Sequence, residues 1–285
     1  TQLSYDDMGG LSPGESLFWI NPLTRAYDNN GNLTIYPWDE DHYFANPLQD
    51  LLAKNKDQSF QVLANNYAVV SVPFIPGLQY RLETGIKARF HESKSYWGRN
   101  TTSGFASQGS ANTSLDRNNS TIVENVLSYK REFGRHNVFL TGVYSYESHK
   151  GFTDKLVSKG FPNDFFAWFA SDQAATRNPS YSLSETVLLS QMLRANYSFD
   201  SRYLLTLTGR RDGFSGFGDK TKWGFFPSVA LGWNLSKEAF FSNVEAVNDL
   251  KLRVSYGLNG NQAIGAYQTI AQLKGSNYID GLAVM

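Results

Sequence analysis

The sequence predicts an all-β protein, and within that class an antiparallel transmembrane β-barrel of about eight strands with long extracellular loops. Three observations carry the prediction. Apolar side chains recur at every second position over segments longer than the roughly 5 to 6 residues of an ordinary soluble strand. The connections alternate between tight turns and far longer stretches. The composition pairs 41% hydrophobic and 15% aromatic residues with only 18% charged ones, which suits neither a disordered chain nor a helical bundle.

Residues 1–57 read as an extracellular loop region with a small hairpin, and residues 58–285 as barrel strands and their loops. In the first region an Asn30-Gly31 turn between 23–27 and 33–36 has the chemistry of a hairpin connection. The stretch from Asp28 to Asn32 also resembles the start of a calcium loop. However, Leu33 stands where such a loop needs glycine, and Tyr36 where it needs an oxygen ligand.

The first barrel strand is expected at 58–72, with an imperfect alternation, and a Pro- and Gly-bearing turn at 73–77 follows it. In the second, Leu78, Tyr80, Leu82, Ile86, Ala88 and Phe90 alternate with Gln79, Arg81, Glu83, Gly85, Lys87 and Arg89. Strands at 122–133 and 138–149 flank a turn at 133–137, and strands at 189–197 and 203–212 flank another at 198–202. Phe225, Pro227, Val229, Leu231, Trp233 and Leu235 then alternate with small or polar residues, as do Leu250, Leu252, Val254, Tyr256 and Leu258. The connections 92–121 and 151–186 are rich in Ser, Asn, Thr and Gly, and loops that long are usually functional. The segment 237–249 breaks the rule, being long on the side of the short turns, with a helical turn expected at 238–244.

No stretch qualifies as a membrane helix: the longest uncharged run, 58–80, contains Asn65, Asn66, Pro73 and Pro76. In lipid only a helix or a closed barrel satisfies every backbone group, so a membrane reading requires the barrel. Its apolar set would face lipid, and Arg81, Glu83, Lys87, Arg89, Lys251 and Arg253 would face the lumen. Tyr80, Phe90, Phe133, Tyr203, Trp223 and Trp233 lie near strand ends, where interfacial aromatic girdles form. A soluble sandwich would bury the same apolar faces against a second sheet. Strand length and loop asymmetry favour the barrel.

Composition excludes other classes. With 26 Lys and Arg against 26 Asp and Glu, the chain lacks the basic excess of a nucleic-acid binder. It has no cysteine, hence no disulfide framework and no thiolate metal site. The first ten residues lack the basic and apolar regions of a signal peptide, and the chain reads as an internal piece of a longer protein.

Two stretches are specific enough to name a relative. Residues 202–241 (RYLLTLTGRRDGFSGFGDKTKWGFFPSVALGWNLSKEAFF) and 250–268 (LKLRVSYGLNGNQAIGAYQ) resemble the C-terminal barrel of SusC/RagA-family TonB-linked outer-membrane proteins. The shared order is Arg-Arg-Asp, a Gly-rich loop, Trp-Gly, Phe-Pro-Ser, a Gly-Trp strand, Glu-x-Phe, Leu-Lys-Leu-Arg, Tyr-Gly and Gly-Asn-Gln. Weaker similarity reaches back to Asn46-Pro47-Leu48. One departure is the loop 212–218, where relatives tend to carry Ser at the position of Phe214 and Arg at that of Gly216. The resemblance implies a barrel of about 22 strands closed by a plug, so that this chain would be a partial antiparallel transmembrane β-barrel, about eight strands of a larger barrel, with neither plug nor TonB box identifiable in it. It further implies a bacterial outer-membrane location and uptake of bulky nutrients, oligosaccharides or peptides, rather than catalysis. A SusD-like lipoprotein would cap the outside, and the TonB complex would pull on the plug.

Candidate contact residues are the loop aromatics Tyr96 and Trp97 in one long connection and Phe165, Phe166, Trp168 and Phe169 in the other. Ring faces stack on sugars or anchor a partner protein, or else pack the loops against each other. The run Asp39, Glu40, Asp41 and His42 reads as a solvated loop. His42, His91, His136 and His149 have no metal-ligand spacing, and neither a metal nor another cofactor is expected. Arg210, Arg211 and Asp212 read as a charge pair and loop anchor at a strand rim, and Gly213, Gly216 and Gly218 as loop glycines rather than a phosphate cradle. The competing reading is a soluble carbohydrate-binding β-sandwich that uses the loop aromatics. A hydrolase has only scattered carboxylates in its favour.

Overall fold

The computed structural model describes residues 2–7, 18, 20–38, 42–218, 221–241, 247–261, 265–269, 277–279 and 282–284. Nine strands form one antiparallel sheet in strict chain order. They are β1 (Gln2–Asp7), β2 (Lys54–Ser71), β3 (Leu78–Trp97), β4 (Ser110–Phe133), β5 (His136–Lys159), β6 (Thr176–Phe199), β7 (Tyr203–Phe214), β8 (Trp223–Asn234) and β9 (Lys251–Gly257). A separate pair, β10 (Asn277–Ile279) and β11 (Leu282–Val284), makes its own two-stranded sheet. Among the described residues no helix is long and apolar enough to cross a membrane.

The all-β antiparallel class predicted from periodicity is found, with two corrections. The sheet has nine strands, because β1 pairs along β2 from Gln2 opposite Leu63 to Asp7 opposite Gln58. Six mixed residues are too few to show a period. The long loops are also much shorter than expected. β3 runs on to Trp97, β4 starts at Ser110, β5 reaches Lys159 and β6 starts at Thr176, leaving 98–109 and 160–175 as connections. The strand extensions are mostly polar on both faces, as in Ser110–Ser120, so no sustained alternation marks them.

Contacts divide the chain into two compact units that do not follow sequence order. One comprises Thr1–Leu63, Lys87–Asn119 and Gly151–Leu183, the other Ala64–Ile86, Ser120–Lys150 and Ser184–Met285. In the second unit, register sorts the side chains. Tyr197, Leu205, Leu231 and Val254 form one row across β6 to β9, with Ala195, Leu207, Val229 and Tyr256 in the next equivalent row. Rows of the other face hold Asn196, Thr206, Ala230 and Ser255, then Arg194, Thr208, Ser228 and Gly257. Because side chains alternate strictly, this pairing makes one face apolar and the other polar over four strands. On the polar face Arg210 Nε donates to Asp212 at 2.8 Å, and Thr206 donates to Asn196 at 2.9 Å. Arg211 points the other way, its guanidinium 4.2 Å from the Trp223 ring centroid. The pair within Arg210-Arg211-Asp212 is therefore formed by its outer members.

The short turns at one end are tightly tied. Phe199, Tyr203 and Trp233 stack in a ladder with centroids 6.5 and 6.4 Å apart. Below it a 3-10 turn at Leu235–Lys237 and another at Ala239–Phe241 begin the long connection to β9. The expected helical turn at 238–244 is thus a 3-10 turn as far as Phe241, and 242–246 lie outside the described residues. Glu238 accepts hydrogen bonds from Tyr203 Oη at 2.8 Å and Trp233 Nε1 at 2.9 Å, with Arg202 at 3.4 Å.

At the turn between β2 and β3, Gly77 has φ +88°, and an added Cβ would sit 1.8 Å from the Lys130 carbonyl oxygen. Gly134 also has positive φ, +58°, but open space around it. The left-handed region costs an L-residue about 1–2 kcal/mol. In the full-length protein Gly134→Ala should lose about that much, and Gly77→Ala clearly more, because β4 must shift as well. Urea unfolding of the two variants checks this; equal losses would contradict the turn geometry.

Candidate functional site

The first unit contains the buried hydrophobic cluster found among the described residues. Tyr96, Ala111, Phe161, Ala167, Ala170 and Ala174 form it, with Trp168 packed against them. Tyr96 lies at the end of β3 and is only 2% exposed. Its ring meets Phe161 edge to face at 5.0 Å, and its hydroxyl donates to Asp164 at 2.7 Å. Asp164 also accepts from the Arg99 backbone N–H at 3.1 Å, with the Arg99 guanidinium 3.5 Å away.

Backbone bonds lock the two connections together, Gly160 N donating to Ser107 O and Phe161 N to Gln108 O, while Ala175 N closes the second connection on Gly160 O. The connection 98–109 holds a four-residue helix, α1 (Thr102–Phe105), whose start is capped by the Thr101 hydroxyl accepting from Gly104 N. The other holds a 3-10 segment at Ala167–Gln173, kinked at Ala170. Small alanines allow this close approach.

Burial raises the Tyr96 phenol above its usual range, and the Asp164 carboxylate adds to the effect. Burial also pushes Asp164 upward, but the Tyr96 hydroxyl and the Arg99 amide and guanidinium outweigh it and hold the carboxyl below its ordinary value. A second polar group crosses four strands. His91 faces Asp57 at 2.9 Å through Nε2 and Asp116 at 3.3 Å through Nδ1, and Thr153 donates to Asp116. On the neighbouring position Glu92 pairs with both Lys56 and Lys94. Among the described residues no group of three or more His, Cys, Asp or Glu is placed to hold a metal ion. Asp39, Glu40 and Asp41 lie outside the described residues.

The hairpin expected in residues 23–36 is present in reduced form, as a single bridge between Tyr27 and Leu33. The Asp28 carboxylate accepts from the backbone N–H of Asn30 and of Asn32, both at 2.8 Å, which closes the turn from within. Its bond from the Asn32 amide is the largest reason its acidity is raised. The segment is anchored by two buried amides that sequence reasoning did not single out. Asn46 donates to the carbonyls of Ala26 and Thr34, and Gln49 to that of Thr34. Buried Asn and Gln that satisfy free carbonyls have no periodic signal to reveal them.

The structure divides the six predicted aromatics. Tyr96 turns inward and Trp97 and Trp168 are half-buried. Phe165 and Phe169 project, 79% and 76% exposed, with Phe166 beside them. Phe165 and Phe166 meet edge to face at 4.9 Å, and Lys94 Nζ stands 5.8 Å above the Phe169 ring. The connection 160–175 thus presents three phenylalanines from a rigid base, with an ammonium beside them.

These features agree with a family match over nearly the whole chain. The profile of the TonB dependent receptor-like β-barrel matches residues 5–279, and the chain belongs to that family. The TonB-dependent receptor P3 of Formosa agariphila is 31% identical over 276 residues, which is 95% of this chain and 27% of the relative. The TonB-dependent receptor SusC of Bacteroides thetaiotaomicron is 44% identical over 92 residues, 32% of this chain and 9% of its own length. Among solved structures, the RagAB peptide transporter superposes with a TM-score of 0.77 at 24% identity, over 90% of this chain and 29% of that one, and shows the same fold. The chain therefore spans little more than a quarter of the length of P3.

Tyr96→Phe leaves Asp164 with one donor fewer, and because that carboxylate is partly open to water the loss to the local fold should be about 0.5–1.5 kcal/mol. Amide exchange in 160–175 of the full-length protein should accelerate accordingly. Asp164 is depressed in the folded state, so its contribution is complete above the ordinary Asp value near 4 and disappears as pH falls through the lower folded value. Exchange protection should drop on acidification below about pH 4, and by less in Tyr96→Phe. A pH-independent response would contradict the assignment.

Proposed function

We propose that this chain forms part of the wall and outer loops of a SusC-like, TonB-dependent transporter in the bacterial outer membrane, which imports bulky oligosaccharides or peptides. On this reading a SusD-like lipoprotein covers the loop end, and the TonB complex acts through a plug domain. Catalysis has no role in it. Family membership is joined by one carrying observation, the in-register apolar face of β6 to β9. From the Tyr203–Trp233 row to the Gly213–Trp223 row is ten residues of β7. At about 3.3 Å per residue and a tilt near 40° this spans roughly 25 Å, the height of the apolar band of an outer-membrane barrel.

A soluble sandwich would bury that face. Instead Leu193 is 74% and Tyr256 72% exposed on it, a cost that lipid removes and water does not. The connections 98–109 and 160–175 join the strand ends opposite the short turns, which places them outside the cell in this reading. Phe165, Phe166 and Phe169 then offer ring faces to an incoming sugar or peptide, or an anchor to the lipoprotein, while Tyr96, Trp97 and Trp168 support them from behind.

Two results are expected. Leu207→Arg in the full-length transporter should cost about 2–4 kcal/mol of stability in lipid, whereas Ala230→Arg on the other face, opposite the uncharged Thr206 and Ser255, should be near neutral. Unfolding in lipid vesicles checks this; tolerance of both would contradict the membrane-wall reading. Replacing Phe165, Phe166 and Phe169 together by Ala should reduce nutrient uptake about tenfold or more, the loss expected for an aromatic hot spot. If the lipoprotein still copurifies, the rings contact the nutrient, and if it is lost they contact the lipoprotein. Normal uptake with a normal complex would contradict both roles.

A further inference from the structure

The apolar face of the second unit carries a groove that transport does not explain. It has two adjoining parts, about 820 and 440 Å³ in volume, which share Leu127, Gly142, Leu193 and Gly209. Leu193 stands in the middle as a ridge. Gly209 is its register partner on β7, and on the β5 side a Cβ added at Gly142 would approach the Leu193 methyl to 3.5 Å. Two glycines beside one exposed leucine leave a trough on each side of it, floored by backbone and walled by apolar side chains. Such troughs accept linear hydrocarbon.

The row next to Leu193–Gly209–Pro227 on the same face is Gln191–Arg211–Phe225. Arg211 lines the upper part of the groove. Among the described residues it has no carboxylate partner, only the Trp223 ring beneath its guanidinium. Its neighbour Arg210, on the polar face, is satisfied by Asp212. Arg211 lies eight residues along β7 from Tyr203, or about 20 Å across the bilayer, about 5 Å inside the loop-end edge of the apolar band, from where its long side chain reaches the headgroups. A guanidinium there, with five donors and no anionic partner among the described residues, matches a phosphate above the acyl chains.

The geometry points to a binding site for a phosphorylated glycolipid of the outer leaflet, of the lipid A class. Its acyl chains lie in the troughs beside Leu193, and its phosphate sits on Arg211 next to Gln191. Two troughs served by one cation suit a lipid with several chains per phosphate. The site rests on the transporter reading, because that reading turns this face toward lipid and its Arg211 end toward the outer leaflet.

The test is native mass spectrometry of the full-length protein, extracted from outer membranes in mild detergent and offered lipid A and phosphatidylethanolamine together. Lipid A adducts are expected, reduced roughly tenfold by Arg211→Ala, as for loss of a charge-assisted bond pair. Gly209→Leu should reduce them similarly by filling one trough, since the added Cβ makes only an ordinary 3.5 Å contact with the Phe225 ring. Arg253→Ala, on the polar face, should leave them unchanged. Equal adducts in Arg211→Ala and the parent, or equal competition by phosphatidylethanolamine, would overturn the site. Failure of the protein to reach the outer membrane would overturn the transporter reading itself, and this site with it.

Discussion

Backbone pairing between neighbouring strands is the constraint on which the rest of this molecule depends. In the proposed membrane wall every N–H and C=O that crosses lipid would have to bond to a neighbouring strand, so sheet order and register are fixed together. Once register is fixed, alternation assigns each side chain to a face. The rows from Tyr197 to Val254 and from Asn196 to Ser255 are the outcome: adjacent along every strand, opposite in chemistry. A slip of one residue in β7 would send Arg210 to the apolar face and Leu207 to the polar one.

Beyond that band the same strands are held differently. Their extensions are mostly polar on both faces, and stability there comes from local devices. A Tyr96–Phe161 core is closed by Asp164, a histidine lies between two aspartates, and two amides pin the amino-terminal hairpin. The short-turn end uses stacked aromatics and a single carboxylate, Glu238, that gathers Tyr203 and Trp233. Both ends rely on one acid collecting several donors, which is how a surface with few charges fixes its loops. At the loop end this leaves three phenylalanines free to project from a base that does not depend on them.

How much of this is legible in the sequence follows from where one face differs from the other. The strands at 78–90, 203–212 and 225–235 show themselves because one face is apolar and the other polar, which writes a period of two. The extensions 91–97, 110–121 and 151–159 do not, since polar residues stand on both faces and the apolar exceptions, such as Tyr96 and Ala111, serve a local cluster rather than a continuous apolar surface. The aromatic loop residues are legible as a group, but their orientation is not. Tyr96 and Phe169 look alike in sequence, and only the alanines at 111, 167, 170 and 174 decide that the first is enclosed. Arg211 and Arg210 are adjacent and identical in type, and parity alone separates an ion pair on the polar face from a cation on the apolar face.

The most direct measurement exploits the absence of cysteine from this chain. Single cysteines introduced in turn from 204 to 209 of the full-length protein, with any cysteine outside this chain replaced by serine, would be probed in native outer membranes with a lipid-restricted maleimide and a water-soluble one. A strict alternation is predicted, with 205, 207 and 209 reacting only with the lipid reagent and 204, 206 and 208 only with the aqueous one. Aqueous labelling of all six positions, or of neither set, would contradict a sheet with one face in lipid and the other in a polar lumen.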